Sequence, residues 1–192
     1  MKQAFKISLM ALVAIFAFST TSYAQFGMLK KIIGPKNKEY EIRNWQTGQM
    51  MKYKNPFVYK PMTATQLNSE DRYFGDEKAK KEIWRQFLAY ENYLDNKRGN
   101  DDLRKNRKIV AILYCHSNWV VNRNEFDIPT FRFQRLYVIS ECDEGVTMAE
   151  RFDVNNTYYA SSGFSDTYEF ELVKSDGEPM RYLVVDWEHK ND

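Results

Sequence analysis

The chain has 192 residues, with 28 basic and 26 acidic side chains and a formal net charge of +2. This length supports one domain with an adequate core. The near balance of charge argues against a nucleic-acid binder, which carries a strongly basic footprint.

The first 24 residues read as a cleavable secretory signal. Lys2 and Lys6 precede an apolar run, Ile7–Phe18, broken only by Ser8. Small residues at Ser22 and Ala24 then match a signal-peptidase site, which places the cut between Ala24 and Gln25. The run is shorter than the roughly 20 apolar residues a membrane span needs, and no cysteine follows the cut to carry a lipid. The expected location is periplasmic or secreted. Without the leader, basic and acidic side chains are equal in number. Residues 25–60 nevertheless hold eight bases against Glu39 and Glu41. This basic arm is expected to lie across the acidic remainder of its own domain; contact with an anionic surface is the other reading.

Residues 25–39 read as a basic leading segment ending in the linker Gly34–Lys38, and residues 40–192 as one domain. Tyr40–Trp45 and Met51–Tyr59 are strand candidates, the second confined to an edge by Pro56. The spacing of Ala79, Ile83, Phe87, Tyr90 and Leu94 predicts a helix near 76–96, with Asp76 as its N-cap. Lys97–Lys108, with Asp101 and Asp102 among six bases, reads as a solvated loop. Strand-like runs follow at 108–121, 130–142, 146–154, 167–174 and 180–188. Turn signals lie between them at 143–145, at Asn155-Asn156 and at Asp176-Gly177.

Runs of like elements point to an α+β fold: one long helix on a curled antiparallel sheet of about five strands. Over residues 76–188 that element order resembles the cystatin-like and nuclear-transport-factor-2-like half-barrels, without any family motif.

Two hairpin registers are legible. A turn at Asp176-Gly177 would set Phe170 opposite Leu183 and bring Glu169, Glu171, Asp186 and Glu188 onto one patch. A turn at Ile128-Pro129 would set Phe126 opposite Phe131, Trp119 opposite Val138, His116 opposite Glu141 and Cys115 opposite Cys142. In an oxidising compartment that last pair is expected to form a disulfide.

Catalytic and metal signals are weak. Cys115 and His116 are adjacent on a strand and point to opposite faces, so they cannot act as nucleophile and base. Two cysteines and two histidines lack zinc-ligand spacing. Asp143, Glu144, Glu150 and Asp153 cluster in sequence but lack the calcium-loop pattern. The four paired carboxylates read as a solvated sheet face rather than a glycosidase pair. Asn155-Asn156-Thr157 matches a glycosylation sequon, which matters only in a eukaryotic host. No catalytic residue, metal or cofactor is therefore expected.

The reading that remains is an exported, non-enzymatic module that binds a protein or glycan partner. Nucleic acid and a membrane span are not expected. The alternative is a half-barrel with a small-ligand pocket between helix and sheet, carrying at most weak hydrolase or isomerase activity.

Overall fold

A computed structural model of the chain describes residues 38–55 and 59–188. The leader, the Ala24–Gln25 cut, the arm at 25–37 and Pro56 lie outside the described residues. Contacts divide the chain into two units, Met1–Lys38 with Lys54–Val58, and Glu39–Tyr53 with Tyr59–Asp192. The site and core described below belong to the second.

The scaffold is one long hairpin. Strands β6 (Pro129–Glu141) and β7 (Thr147–Tyr159) run antiparallel in unbroken register from Phe131 opposite Thr157 to Glu141 opposite Thr147. At the tight end Cys142 N–H donates to the Val146 carbonyl at 2.8 Å, and Gly145 takes φ +74°. Glycine is required there twice over. The φ is left-handed, and an added Cβ would fall 2.0 Å from Asn44 Nδ2.

Each outer edge of this hairpin is served by two strands placed end to end. Beside β6 lie β4 (Lys108–Tyr114), near the tight turn, and β5 (Val120–Arg123), at the distal end. Beside β7 lie β12 (Arg181–Val184), near the turn, and β9 (Glu169–Leu172), distally, with β8 (Gly163–Phe164) beyond. β3 (Lys60–Met62) adds to β12 in parallel. β1 (Lys38–Arg43) and β2 (Met50–Asn55) form a separate two-stranded sheet, as do β10 (Lys174–Ser175) and β11 (Glu178–Pro179).

The expected fold, one long helix on a curled sheet of about five strands, does not form. Among the described residues sheet predominates, with about twelve strands in three sheets and two helices. The strand-like runs break into shorter pieces because β7 is long enough to take two partners along one edge. The Asp176-Gly177 turn does pair Lys174 with Pro179 and Ser175 with Glu178. That ladder ends one bond further on, however, where Met180 N–H donates to the Val173 carbonyl at 2.8 Å. Val173 N–H donates to the Arg151 carbonyl at 2.9 Å and Arg151 N–H to the Met180 carbonyl at 3.0 Å, so both flanks return to β7. Phe170 therefore faces Val154, and Leu183 faces Met148.

Two helices cover opposite faces of the sheet. α2 (Glu77–Asp95) lies where the periodicity places it, and Asp76 accepts from Ala79 N–H at 3.0 Å. Its Ala79, Ile83 and Phe87 are buried against Leu136, Val138, Phe152 and Val154. Phe87 meets Phe152 and Phe170 edge-to-face, both with ring centroids 5.1 Å apart. The short α1 (Ala64–Ser69) covers the other face near the tight turn, where Leu67 is fully buried against Tyr137, Ile139, Ala149 and Val184. That single side chain contributes about 1.5–3 kcal/mol. A third cluster, with Ile42 and Tyr53 from the β1–β2 sheet, covers Met148, Leu183 and Cys142.

The covering is unequal. β6 is buried continuously from Leu136 to Glu141, and β7 from Thr147 to Glu150. Beyond Glu150, β7 alternates buried with half-buried residues as far as Asn156. Alternation of this kind marks a sheet with one face packed and one face open. The distal half of the hairpin thus leaves the face opposite α2 uncovered.

Candidate functional site

At the distal end, the β5–β6 connection is a built loop rather than a loose one. The Asn124 side chain accepts from the N–H of Phe126 and of Ile128, each at 3.0 Å. Asp127 takes φ 60°, and its carbonyl accepts from Arg123 Nη1 at 2.8 Å. Asn and Asp suit this turn because short polar side chains bond the local backbone and tolerate left-handed φ. The loop holds Phe126 at 74% and Ile128 at 49% exposure, with Val121 and Phe131 exposed on its stems. The turn expected at Ile128-Pro129 is thus displaced. Phe131 faces Asn122 rather than Phe126, and Val120 faces Phe133.

Behind this tip the uncovered face forms a shallow cavity of about 480 Å³, with Phe131 and Phe133 as its floor and Asn122, Asn155, Glu169 and Glu171 among its rim. Asp153, also on the rim, is held by Arg135 through two bonds of 2.6 and 2.8 Å. The covered side of the same half is braced. Trp119 stacks on Tyr168 at an interplanar angle of 4°, and the Arg132 guanidinium lies 4.3 Å from the Trp119 ring and 4.5 Å from the Phe164 ring. The Trp119 indole N–H donates to the Asp76 carboxylate at 3.2 Å, which ties the helix cap to the sheet. Burial alone would raise the Asp76 pKa, but the Ala79 and Trp119 donors hold it below its ordinary value. A rigid stem carrying apolar side chains into solvent can dock on another surface with little ordering cost.

At the other half lies a buried ion network, which the sequence reading treats as a solvated loop. The Arg98 and Arg107 side chains are 7% and 1% exposed. Arg107 donates through Nε and Nη2 to Glu91 at 2.7 and 2.9 Å, and its Nη1 is bonded to Glu150. Arg98 is bonded to Glu91 as well. Glu150 also accepts from Arg181 Nε at 2.6 Å. Arg104 is held by Asp102 through bonds of 2.9 and 2.6 Å. Burial would raise the Glu150 and Glu91 carboxyls, but the guanidiniums around them hold both below the usual range. The loop folds inward because Glu91 and Glu150, one from the helix and one from the sheet, need charged partners there.

The remaining residues singled out from sequence are scattered by the fold. Cys115 and Cys142 are both free thiols, so the expected disulfide is not made. The backbone of Cys115 pairs with Arg135 of β6, while Cys142 follows the end of that strand, seven residues and roughly 24 Å further along at about 3.4 Å per residue. Burial pushes the Cys115 thiol up to about 11 and the Cys142 thiol up to about 12. His116 does not face Glu141. Its N–H donates to Gln134 Oε1 at 3.1 Å, and its ring meets Phe133 edge-on. Lys108 takes the place opposite Glu141.

The four carboxylates do not share a patch either. Glu169 and Glu171 rim the distal cavity, Asp186 accepts from the Ala64 N–H of α1 at 2.6 Å, and Glu188 lies 3.5 Å from Arg43. Asp143 and Glu144 stay in the tight turn, while Glu150 and Asp153 point to opposite faces of β7. Among the described residues no group of three or more His, Cys, Asp or Glu is arranged to hold a metal ion. No helix among them is long and apolar enough to cross a membrane.

No family model, curated protein or solved structure matches the chain. The site is therefore read from its own chemistry. Two of its parts are missed by sequence reasoning. Asn124, three residues ahead of Asp127, is the signal for the tip loop. The capping box Thr63–Gln66 is the signal for α1, with Gln66 N–H donating to Thr63 Oγ1 at 3.1 Å and Thr63 N–H to Gln66 Oε1 at 2.9 Å. The inward turn of Arg98 and Arg107 has no local signal, because their partners are distant in sequence.

Proposed function

We propose that the chain is an exported, non-enzymatic binding module that engages a protein partner through its distal hairpin and the open sheet face behind it. The observation that carries this reading is the tip loop. Four of the nine exposed large hydrophobic side chains among the described residues lie between Val121 and Phe131. Apolar side chains gathered on a braced loop mark an interaction surface. The poorly acidic thiols, Cys142 buried and Cys115 half-buried, argue against nucleophilic chemistry at Cys115, and the exposed tip supports binding. Export rests on the leader at residues 1–24.

The test is a photo-crosslinking phenylalanine analogue placed at position 126 in the full chain, produced in its own cells. A control carries the same group at Tyr93, an exposed helix position. A discrete protein adduct from position 126, absent from position 93 and weakened at least fivefold by Ile128→Ser, supports the reading. Equal adducts from both positions, or none from either, would overturn it. A glycan ligand bound over Phe133 with no protein adduct would move the partner to the glycan class.

A further inference from the structure

The ion network encloses more positive than negative charge, and a cavity opens at the excess. Followed from bond to bond, the network alternates in sign. Asp102 holds Arg104, whose Nη1 lies 3.7 Å from Glu150; Glu150 holds Arg107, Arg107 holds Glu91, and Glu91 holds Arg98. Arg98 then lies 3.4 Å from Asp95, and Asp95 lies 3.4 Å from Lys105. These eight groups are four acids and four bases. Arg181 is the ninth. It hangs from Glu150 by Nε alone, and its two Nη atoms make no hydrogen bond to the described residues. Glu150 thus faces three guanidiniums.

Arg181 lines a cavity of about 470 Å³ together with Lys97, Arg98, Arg104 and Arg107 and with two carboxylates, Asp102 and Glu150, that are already held by arginines. Apolar side chains complete the lining: Tyr90, Leu94, Phe152 and Leu172. Arg181 is the guanidinium in excess, and with its side chain 21% exposed it is open to an anion entering the cavity. A guanidinium with both Nη groups free also presents the planar fork that suits an oxyanion. The volume is that of a small-molecule site.

We infer that this cavity binds a small amphiphilic oxyanion, its carboxylate or phosphate head on Arg181 and its apolar chain or ring against Phe152 and Leu172. The inference is independent of the proposed docking tip, which lies at the other end of the hairpin. Phe126→Ser with Ile128→Ser should leave it intact.

The experiment is calorimetric titration of the mature full-length protein with decanoate, decyl phosphate, decanol and acetate, each below its micelle concentration. One molecule of decanoate or decyl phosphate per chain is expected, at least tenfold tighter than decanol and acetate. The order of the two anions identifies the head group. Arg181→Gln should weaken the anions about tenfold and leave decanol unchanged. Decanol binding as tightly as decanoate, no loss in Arg181→Gln, or no saturable binding of either anion would overturn the inference. Should Arg181→Gln fail to fold, the decanoate-to-decanol ratio of the wild type decides, with Lys97→Gln as the second variant.

Discussion

At the scale of single residues, the cysteines show how one turn residue redirects a whole argument. A turn at Ile128-Pro129 would have joined Cys115 to Cys142; the carboxamide of Asn124 instead closes the loop at 124–128 and shifts the ladder. A bend at 115–119 then shifts it again before β4 begins. On the β5 stem the expected and observed registers differ by four residues and keep the same faces inward, so hydrophobic pattern cannot separate them. At β4 the slip is seven and turns the other face inward, which the pattern permits because both alternating sets of 109–114 are apolar. The consequence is measurable. Unfolded, unreduced protein should give two reactive thiols per chain with a disulfide-exchange reagent. The native protein should react far more slowly, because a thiol at about 11 is ionised in only about one molecule in a thousand at pH 8. Absence of free thiols after unfolding would refute the register described here.

At the scale of elements, legibility followed burial pattern. The helix at 77–95 announced itself because its apolar residues recur on one face, and Asp76 caps it as its position suggested. α1 is six residues long and buries one side chain, too little for periodicity to show, although its capping box stands in the sequence. β9 and β12 were legible as strands but not as partners of β7, since either pairing keeps Phe170 and Leu183 on a packed face. Of the proposed site, the exposed tip was legible only as apolar residues, and the arginine cavity not at all. The small β10–β11 hairpin gives a direct test of the topology. Its neck is closed by Met180 N–H donating to the Val173 carbonyl at 2.8 Å, and both residues of β10 are exposed. Replacing residues 174–179 by Asn-Gly should therefore leave the thermal midpoint within about 4 °C of wild type, the shift expected for no more than about 1 kcal/mol. A loss of cooperative unfolding would mean that this hairpin, rather than β7, organises the two strands that flank it.

At the scale of the whole molecule, titratable groups buried in two places set how stability responds to pH. His116 sits with Nε2 buried and without a hydrogen-bond partner among the described residues. Burial first, then the charge of Arg135 and, less, that of Arg151, hold its pKa below the ordinary value against the opposing pull of Asp153. Between the ordinary histidine value of about 6.5 and that lowered value, the unfolded chain binds a proton the folded chain refuses. Stability should therefore be full above pH 7 and decline as pH falls through about 6.5, with a slope no steeper than about 1.4 kcal/mol per pH unit, the limit for one proton. Asp76, Glu91, Asp95, Asp102 and Glu150 are all held below the usual carboxylate range, by their arginine, lysine and N–H partners against the opposing effect of burial. Their contribution is present above the unfolded value of about 4 and is lost as pH falls from there through the lower folded values. Several protons then act together, so the second decline must be steeper than the first. Urea midpoints measured from pH 8 to pH 3 should show both steps, and His116→Gln should remove only the shallow one. Loss of the shallow step would mean that His116 is not held uncharged in the fold; loss of the steep one, or a midpoint that rises on acidification, would mean that the Glu91–Arg107–Glu150 bridge between helix and sheet does not hold the two together as its geometry requires.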